Sequence, residues 1–263
     1  MSTVSTAQVN GGLWGARARD WAELQEGQAR ALYDAVLDAL QVGPGTALLD
    51  AGCGAGMAAS LAAARGARVA GADAAEALLA IARERVPDGD FRASDLEALP
   101  FPDGTFDVVT GFNSFQYAGD AVGALREARR VARAGAPVVV ATWGPPEGMP
   151  AAALVGALRP LVPPPPPGAP GPFALSDEAA LRGLAAAAGL TPESVADVAT
   201  VWTYPDLDAA VRGLNASGVA QRAIRHAGED AVTRAHAAAL APFRTPDGGV
   251  AVRAVFRYLV ARA

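Results

Sequence analysis

The sequence predicts an α/β fold in which a parallel, doubly wound sheet carries helices on its faces. Two observations predict it. Apolar runs of strand length alternate with helix-forming runs between residues 46 and 142, and such alternation joins successive parallel strands through helical crossovers. The first strand, ending in Leu48-Leu49-Asp50, opens into Ala51-Gly52-Cys53-Gly54-Ala55-Gly56 and then into the helix-forming run Met57 to Arg65. Strand, glycine turn and helix form the element by which such sheets hold an adenosine-containing ligand.

Residues 1–12 are small and polar and are expected to be ordered only in part. Residues 14–41 predict one or two helices from the apolar positions Trp21, Leu24, Leu32, Val36, Leu37 and Leu40, ended by Gly43-Pro44-Gly45. The core then predicts strand 46–50, helix 56–65, strand 68–72, helix 75–86, strand 90–94, strand 106–111, helix 120–133 and strand 136–142. Right-handed crossovers bring the strand C-terminal ends, with Asp50, Asp73, Asp95 and Asn113, to one edge. After Trp143 the rhythm breaks. A short helix is expected within 150–162. The run Pro163 to Pro167 cannot be helix or central strand and predicts an extended segment; it suits either a docking segment or a loop at a cap boundary. Ser176-Asp177-Glu178-Ala179 caps a helix that ends at Gly189. Residues 193–204 predict a strand, 206–241 mostly helix, and 250–262 a final strand with alternating apolar residues. The expected division is an N-terminal helical lid segment (1–44), a ligand-binding α/β core (45–143), a Pro-rich insert (144–172), the rest of the core (173–204 and 246–263) and a helical cap insert (206–245). The additions are expected over the strand C-terminal edge.

Glycine spacing narrows the ligand. A dinucleotide site wants G-x-G-x-x-G, yet the third glycine here, Gly56, falls one residue early and Met57 takes its place. The run Leu49-Asp50-Ala51-Gly52-Cys53-Gly54-Ala55-Gly56 resembles motif I of class I S-adenosylmethionine (SAM)-dependent methyltransferases, hydrophobic-D-x-G-x-G-x-G. An acid near the turn also suits a cofactor with a sulfonium and an amino group and no pyrophosphate. Further segments carry the resemblance in order. Arg68 to Asp73 is a strand ending in an acid; Asp95-Leu96-Glu97-Ala98-Leu99-Pro100-Phe101 matches D-x-E-x-L-P-F; Phe106 to Asn113 runs into the motif IV loop; Ala128 to Thr142 is the helix, glycine turn and fifth strand. The set is dense over residues 45–143 and similar to the ubiquinone/menaquinone-biosynthesis subgroup, a likeness of sequence that does not fix a quinone substrate.

The resemblance implies a Rossmann-like seven-stranded sheet with a last antiparallel strand pair, SAM as cofactor and S-adenosylhomocysteine (SAH) as product. It also implies roles: Gly52, Gly54 and Gly56 beside the methionine half, Asp50 supporting that turn or the amino group, Asp73 on the ribose, Asp95 and the Leu96 backbone on the adenine, and Asn113 and Phe115 along the passage to substrate. Trp14 and Trp21 are candidates to close over the sulfonium, against ordinary packing. For a general base, His226, His236, Tyr117 and Tyr204 are the candidates; His226, flanked by Gly218 and Gly228 in the cap insert, leads, with Tyr117 next.

Composition excludes other classes. The chain has 263 residues, net charge −5 and 51% hydrophobic residues, with a pI near 5.1. A nucleic-acid enzyme would carry a basic face; Arg126, Arg129, Arg130 and Arg133 cluster on one helix but beside acids and without interleaved aromatics, as on a solvated face. The single cysteine, Cys53, permits no internal disulfide and fits a reducing cytoplasm. No apolar run reaches the ~20 residues of a membrane span. Two histidines ten residues apart make no metal-ligand spacing, so no metal is expected. Asn113-Ser114-Phe115-Gln116-Tyr117 departs from N/D-P-P-Y/F/W, which lowers the case for planar amide or amine acceptors. The expected function is methyl transfer to a small, fairly apolar molecule, possible in specialised metabolism, by a monomer or homodimer. Alternatives are a protein of this fold using bound SAM for pericyclic or decarboxylative chemistry, a macromolecule methyltransferase, and an NAD-dependent oxidoreductase. The acceptor atom, oxygen, nitrogen or carbon, stays open.

Overall fold

The computed structural model describes residues 5–163 and 172–263. A seven-stranded sheet runs in the order β3-β2-β1-β4-β5-β7-β6, from β1 (Ala47–Ala51), β2 (Arg68–Asp73), β3 (Asp90–Ala93), β4 (Val108–Phe112), β5 (Pro137–Trp143), β6 (Thr191–Tyr204) and β7 (Val250–Arg262). The first five strands are parallel, with Asp50 opposite Gly71 and Thr110. β7 is antiparallel to both β5 and β6, the last pair implied by the resemblance. The strand order reverses between β1 and β4, the switch point outside which doubly wound sheets bind ligands.

Helices are α1 (Thr6–Trp14), α2 (Ala18–Asp20), α3 (Arg30–Ala39), α4 (Met57–Ala64), α5 (Glu76–Arg85), α6 (Ala121–Val131), α7 (Ala152–Ala157), α8 (Glu178–Ala187), α9 (Leu207–Asn215), α10 (Gly218–Ala227) and α11 (Glu229–Leu240). Both sheet faces are buried, and this explains the continuous apolar runs. Leu48 and Val69 pack with Leu37, Ala59 and Leu79 from α3, α4 and α5. Leu49 and Ala70 turn the other way, onto Leu125 of α6 and Leu181 of α8. Two of the four clustered arginines are in ion pairs: Arg130 of α6 with Glu127 and Asp103, each at 2.7 Å, and Arg133, just past the helix, with Asp107. Ala124, Leu125, Ala128 and Val131 bury the opposite side of α6, so the arginines lie on a solvated helix face beside acids.

A capping box at Ser5 starts α1: Gln8 N–H donates to Ser5 Oγ at 3.2 Å and Ser5 N–H to Gln8 Oε1 at 3.1 Å. One expectation is corrected. The segment that follows α1 is not one or two regular helices. Between α1 and α3 it tightens and widens through 3-10 turns at Gly15–Arg17 and Glu26–Ala29 and a π turn at Trp21–Gln25. That irregularity lets Trp21, Gln25 and Glu26 face one cavity. Of the proline run, Pro163 is described; the rest, 164–167, lies outside the described residues. Among the described residues no helix is long and apolar enough to cross a membrane.

Candidate cofactor and substrate site

The turn after β1 is forced by three left-handed glycines, with φ of 80° at Gly52, 53° at Gly54 and 81° at Gly56. Gly52 N–H and Cys53 N–H both donate to Ala72 O, at 2.7 and 3.1 Å, which ties the turn to the end of β2. Asp73 completes the tie. Its Oδ2 accepts from Gly54 N–H at 2.9 Å and its Oδ1 from Ala75 N–H at 2.8 Å. Asp73 thus holds both the glycine turn and the start of α5.

Above the turn stands a residue that the sequence analysis missed. Glu26, 4% exposed, accepts from Met57 N–H at 3.3 Å and pairs with Arg85. Arg85 also donates to Ala22 O and Ala55 O, both at 2.8 Å, so the N-terminal segment is bolted to the turn through this side chain. A Cβ on Gly54 would lie 3.4 Å from Glu26 Oε1 and 3.6 Å from Trp21 Nε1. Burial raises the carboxyls of Glu26, Asp50 and Asp73 above their ordinary range, and Glu26 and Asp73 raise Asp50 further. Glu26 and Asp73 border the cavity, with Arg85 the one arginine paired to them, through Glu26, which leaves this pocket short of a cation. Among the described residues no cluster of three or more His, Cys, Asp or Glu is disposed to hold a metal ion. The donor set fits an organic cation.

Asp50 points inward, away from the cavity wall. It is 2% exposed and accepts from Thr110 Oγ1 at 2.9 Å. Desolvation, opposed by that hydrogen bond, lifts its pKa from 3.8 to about 7. Between pH 4 and 7 the native state therefore binds more protons here than the unfolded chain, and this contribution to stability falls as pH rises through that window. Asp50→Asn, which keeps the shape without the charge, is expected to be about 2–4 kcal/mol more stable than wild type at pH 8 and to lose that advantage at pH 4.5. Urea melts of both proteins at the two pH values check it; an equal difference at both would refute it.

The turn opens into a cavity of about 570 Å³, within the range of small-ligand sites. Its wall comes from the C-terminal ends of the parallel strands, including Gly52, Asp73, Ser94, Asp95, Asn113 and Trp143, and from the cap, including Trp14, Trp21, Leu158, Leu214 and His236. Among the described residues four buried side-chain polar atoms lack any hydrogen-bond partner: Ser94 Oγ, Ser114 Oγ, Gln116 Oε1 and Trp202 Nε1. Every one belongs to a residue that lines this cavity. Unpaired buried polar atoms cost about 1–3 kcal/mol each, so their gathering around one cavity marks where a ligand's polar groups go.

Asp73, Asp95, Leu96, Asn113, Trp21 and Tyr117 all line this cavity, with Gly52 and Gly54. Asp95 accepts from Glu97 N–H at 3.1 Å. Asn113 has a left-handed φ of 51° and accepts from Gln116 Nε2 at 3.1 Å. Trp14 stands edge-on to Trp21 (4.9 Å between centroids) and to Tyr117 (5.5 Å), so these three aromatics pack together as well as face the cavity. Burial pushes the Tyr117 hydroxyl up to about 12, which keeps it protonated. Gly56 lies behind the wall, against Ala82.

Two assignments are corrected. Phe115 is fully buried in the core cluster of Leu49 and Leu125 and fills the space beside Gly111, so it packs and does not line a passage. His226 is exposed in the last turn of α10 and is absent from the cavity wall. His236 of α11 takes its place: 2% exposed, on the wall, with Nδ1 2.7 Å from Asn215 Oδ1. Cys53 is 4% exposed and its thiol is pushed well up by burial, the setting of an inert packing residue.

A sheet with this strand order, a glycine turn tied to an acid at the end of β2, and an acid-lined cavity at the switch point define a protein that holds SAM. Residues 49–140 match a family model described as a methyltransferase domain. Over those residues, from β1 to β5, the chain is a methyltransferase domain similar to SAM-dependent methyltransferases. Curated relatives are similar over part of their length. Demethylmenaquinone methyltransferase of Beutenbergia cavernae is 38% identical over 133 residues, 51% of this chain and 55% of that one. Malonyl-[acyl-carrier protein] O-methyltransferase of Serratia marcescens is 36% identical over 99 residues, 38% and 39% of the two chains. The matches thus span about half or less of the relatives. Among solved structures, the [4+2]-cyclase SpnF superposes with a TM-score of 0.55 at 23% identity, covering 88% of this chain and 80% of that one. Geranyl diphosphate C-methyltransferase of Streptomyces coelicolor A3(2), in complex with SAH, superposes with a TM-score of 0.53 at 18% identity, covering 89% and 79%. These two likenesses establish the fold.

Proposed function

We propose that this protein transfers the methyl group of SAM to a small, neutral, largely apolar molecule held in the cap half of the cavity. The observation that carries the reading is that the orphaned polar atoms and the acidic turn all border one cavity. The adenosine end falls to Asp73, Asp95 and the Ser94 hydroxyl, and the cationic methionine end to Gly52, Gly54 and Glu26. Bound SAM supplies a methyl group on a sulfonium, an activated leaving group. The chain's own residues then position and enclose the reactants, which for in-line displacement is most of what catalysis requires. Trp14 and Trp21 close the cavity from the N-terminal segment, while α9–α11 and the α7 segment with Leu154, Val155 and Leu158 shape the acceptor half. Leu154, Leu158, Leu214, Val219 and Phe256 make that half apolar. The wall carries Glu26, Asp73 and Asp95 and, among the described residues, no Lys or Arg, which disfavours anionic acceptors and nucleic acid alike.

Incubation with methyl-labelled SAM, a panel of neutral small molecules, and in parallel total RNA and protein tests this. Label in an extractable small product with stoichiometric SAH is the expected result. Label in macromolecules would overturn the substrate class. Conversion of a panel member without SAH would overturn methyl transfer in favour of chemistry that uses the cofactor without consuming it.

A further inference from the structure

The acceptor half of the cavity holds two polar groups whose chemistry is complementary to a hydroxyl. The first is His236. Its Nδ1 lies 2.7 Å from Asn215 Oδ1, and Asn215 Nδ2 donates to Thr233 Oγ1 at 2.9 Å. The amide is thereby turned with its oxygen towards the imidazole, so Nδ1 carries the proton and Nε2 keeps a lone pair. Asn215 is itself 2% exposed and fixed from below by Gln221 Nε2, which donates to Asn215 O at 2.7 Å. Nε2 of His236 has no hydrogen-bond partner among the described residues. Burial holds the ring's pKa down at about 4, so it is neutral at pH 7. The second group is Trp202 Nε1, a buried donor without an acceptor. It stands on an aromatic wall, with Trp143 5.7 Å from Trp202 and stacked 5.2 Å from Phe256 between ring centroids.

We propose that His236, oriented by Asn215, is the catalytic proton acceptor for a planar, neutral substrate bearing a phenolic or enolic hydroxyl, which is methylated on that oxygen. This rests on the methyl-transfer reading above. As the acceptor oxygen bonds to the methyl carbon, the S–C bond breaks with its electron pair left on sulfur, giving SAH. The O–H bond breaks at the same time and the proton passes to His236 Nε2, from which solvent removes it. A neutral amine needs no such base to attack, and a carboxylate arrives already deprotonated and would meet no cation on this wall. A neutral hydroxyl is the acceptor for which a lone-pair-bearing imidazole makes the difference. The aromatic wall selects a flat ring, and Trp202 Nε1–H is available to a second oxygen on it.

The test uses the full chain loaded with SAH at pH 5.5 and two probes, 4-nitrophenol, which keeps its hydroxyl proton at that pH, and its methyl ether 4-nitroanisole. Side-chain 15N spectra of the wild-type histidines read the tautomer directly. The expected result is a protonated Nδ1 and bare Nε2 at His236, with the Nε2 resonance moved by 4-nitrophenol and unmoved by 4-nitroanisole. His236→Phe is expected to weaken 4-nitrophenol binding at least 10-fold while leaving SAH and 4-nitroanisole binding within 3-fold. A protonated Nε2, an Nε2 resonance that ignores the phenol, or no phenol binding by the SAH-loaded protein would overturn the proposal while the cofactor reading stands. Failure to bind SAH at all would remove that reading and the proposal with it. The wild-type spectra keep the test decisive even if His236→Phe does not fold.

Discussion

Gly52→Ala is expected to destabilise the protein by about 3 kcal/mol or more and to abolish cofactor binding. Two effects add. The residue sits at φ 80°, where a side chain costs on the order of 1–2 kcal/mol. Its new Cβ would also overlap the Cβ of Ser114, which follows β4 and is itself buried; overpacking of this kind costs about 1–3 kcal/mol. Gly54→Ala separates fold from function at the same turn. Its φ of 53° is the milder strain, and the new Cβ would meet Glu26 Oε1 only at ordinary contact distance, 3.4 Å. It would, however, stand where the cofactor must approach the backbone. Chemical denaturation and SAH titration of both variants should find Gly52→Ala deficient in both and Gly54→Ala deficient mainly in binding. Equal stability of Gly52→Ala and wild type would mean that the turn is not as tightly backed by Ser114 as described.

Glu26→Ala should be the most damaging change in the N-terminal segment. Glu26 and Arg85 are partners in a site that holds the carboxylate at 4% exposure. Removing one member of a buried pair leaves the other uncompensated, typically at a cost of about 3–5 kcal/mol; Arg85 keeps its bonds to Ala22 O and Ala55 O and is about a quarter exposed, so the low end of that range applies here. Binding should suffer independently, because the pocket loses one of the three acids that favour a cationic ligand. Glu26→Gln separates the two: it retains an acceptor for Met57 N–H and most of the packing, so it should be the more stable variant, yet it should bind SAM weakly. If Glu26→Gln bound SAM as wild type does, the negative field of the pocket would not be what holds the cofactor.

The distinction between what was and was not legible follows sequence separation. Asp73, Asp95 and the glycine turn stand at strand ends in a repeating βα rhythm, so their convergence follows from handedness and register alone. The Ser5–Gln8 capping box was also present in the letters, within a segment expected to be partly disordered. Glu26 and Arg85, 59 positions apart, meet only because the N-terminal segment folds back over the turn through 3-10 and π turns, which no apolar period announces. His236 could have been found. Val232, His236 and Leu240 recur every four residues and are all buried on one stripe of α11, whereas His226 ends α10 among exposed residues. Flanking glycines were the weaker signal. Its partner Asn215, on another helix, could not. Phe115 was misplaced for a local reason: a 3-10 turn at Phe115–Tyr117 rotates it from the loop into the core beside Gly111.

The central claim, that the acid-lined cavity beyond β1 and β2 is a SAM site, is tested most directly by calorimetric titration of wild type and Asp73→Asn with SAH. One-to-one binding is the predicted result, weakened by about 1–3 kcal/mol, or roughly 5- to 150-fold, when the charged acceptor is lost. No binding by a folded wild-type protein, or binding that Asp73→Asn leaves unchanged, would contradict it.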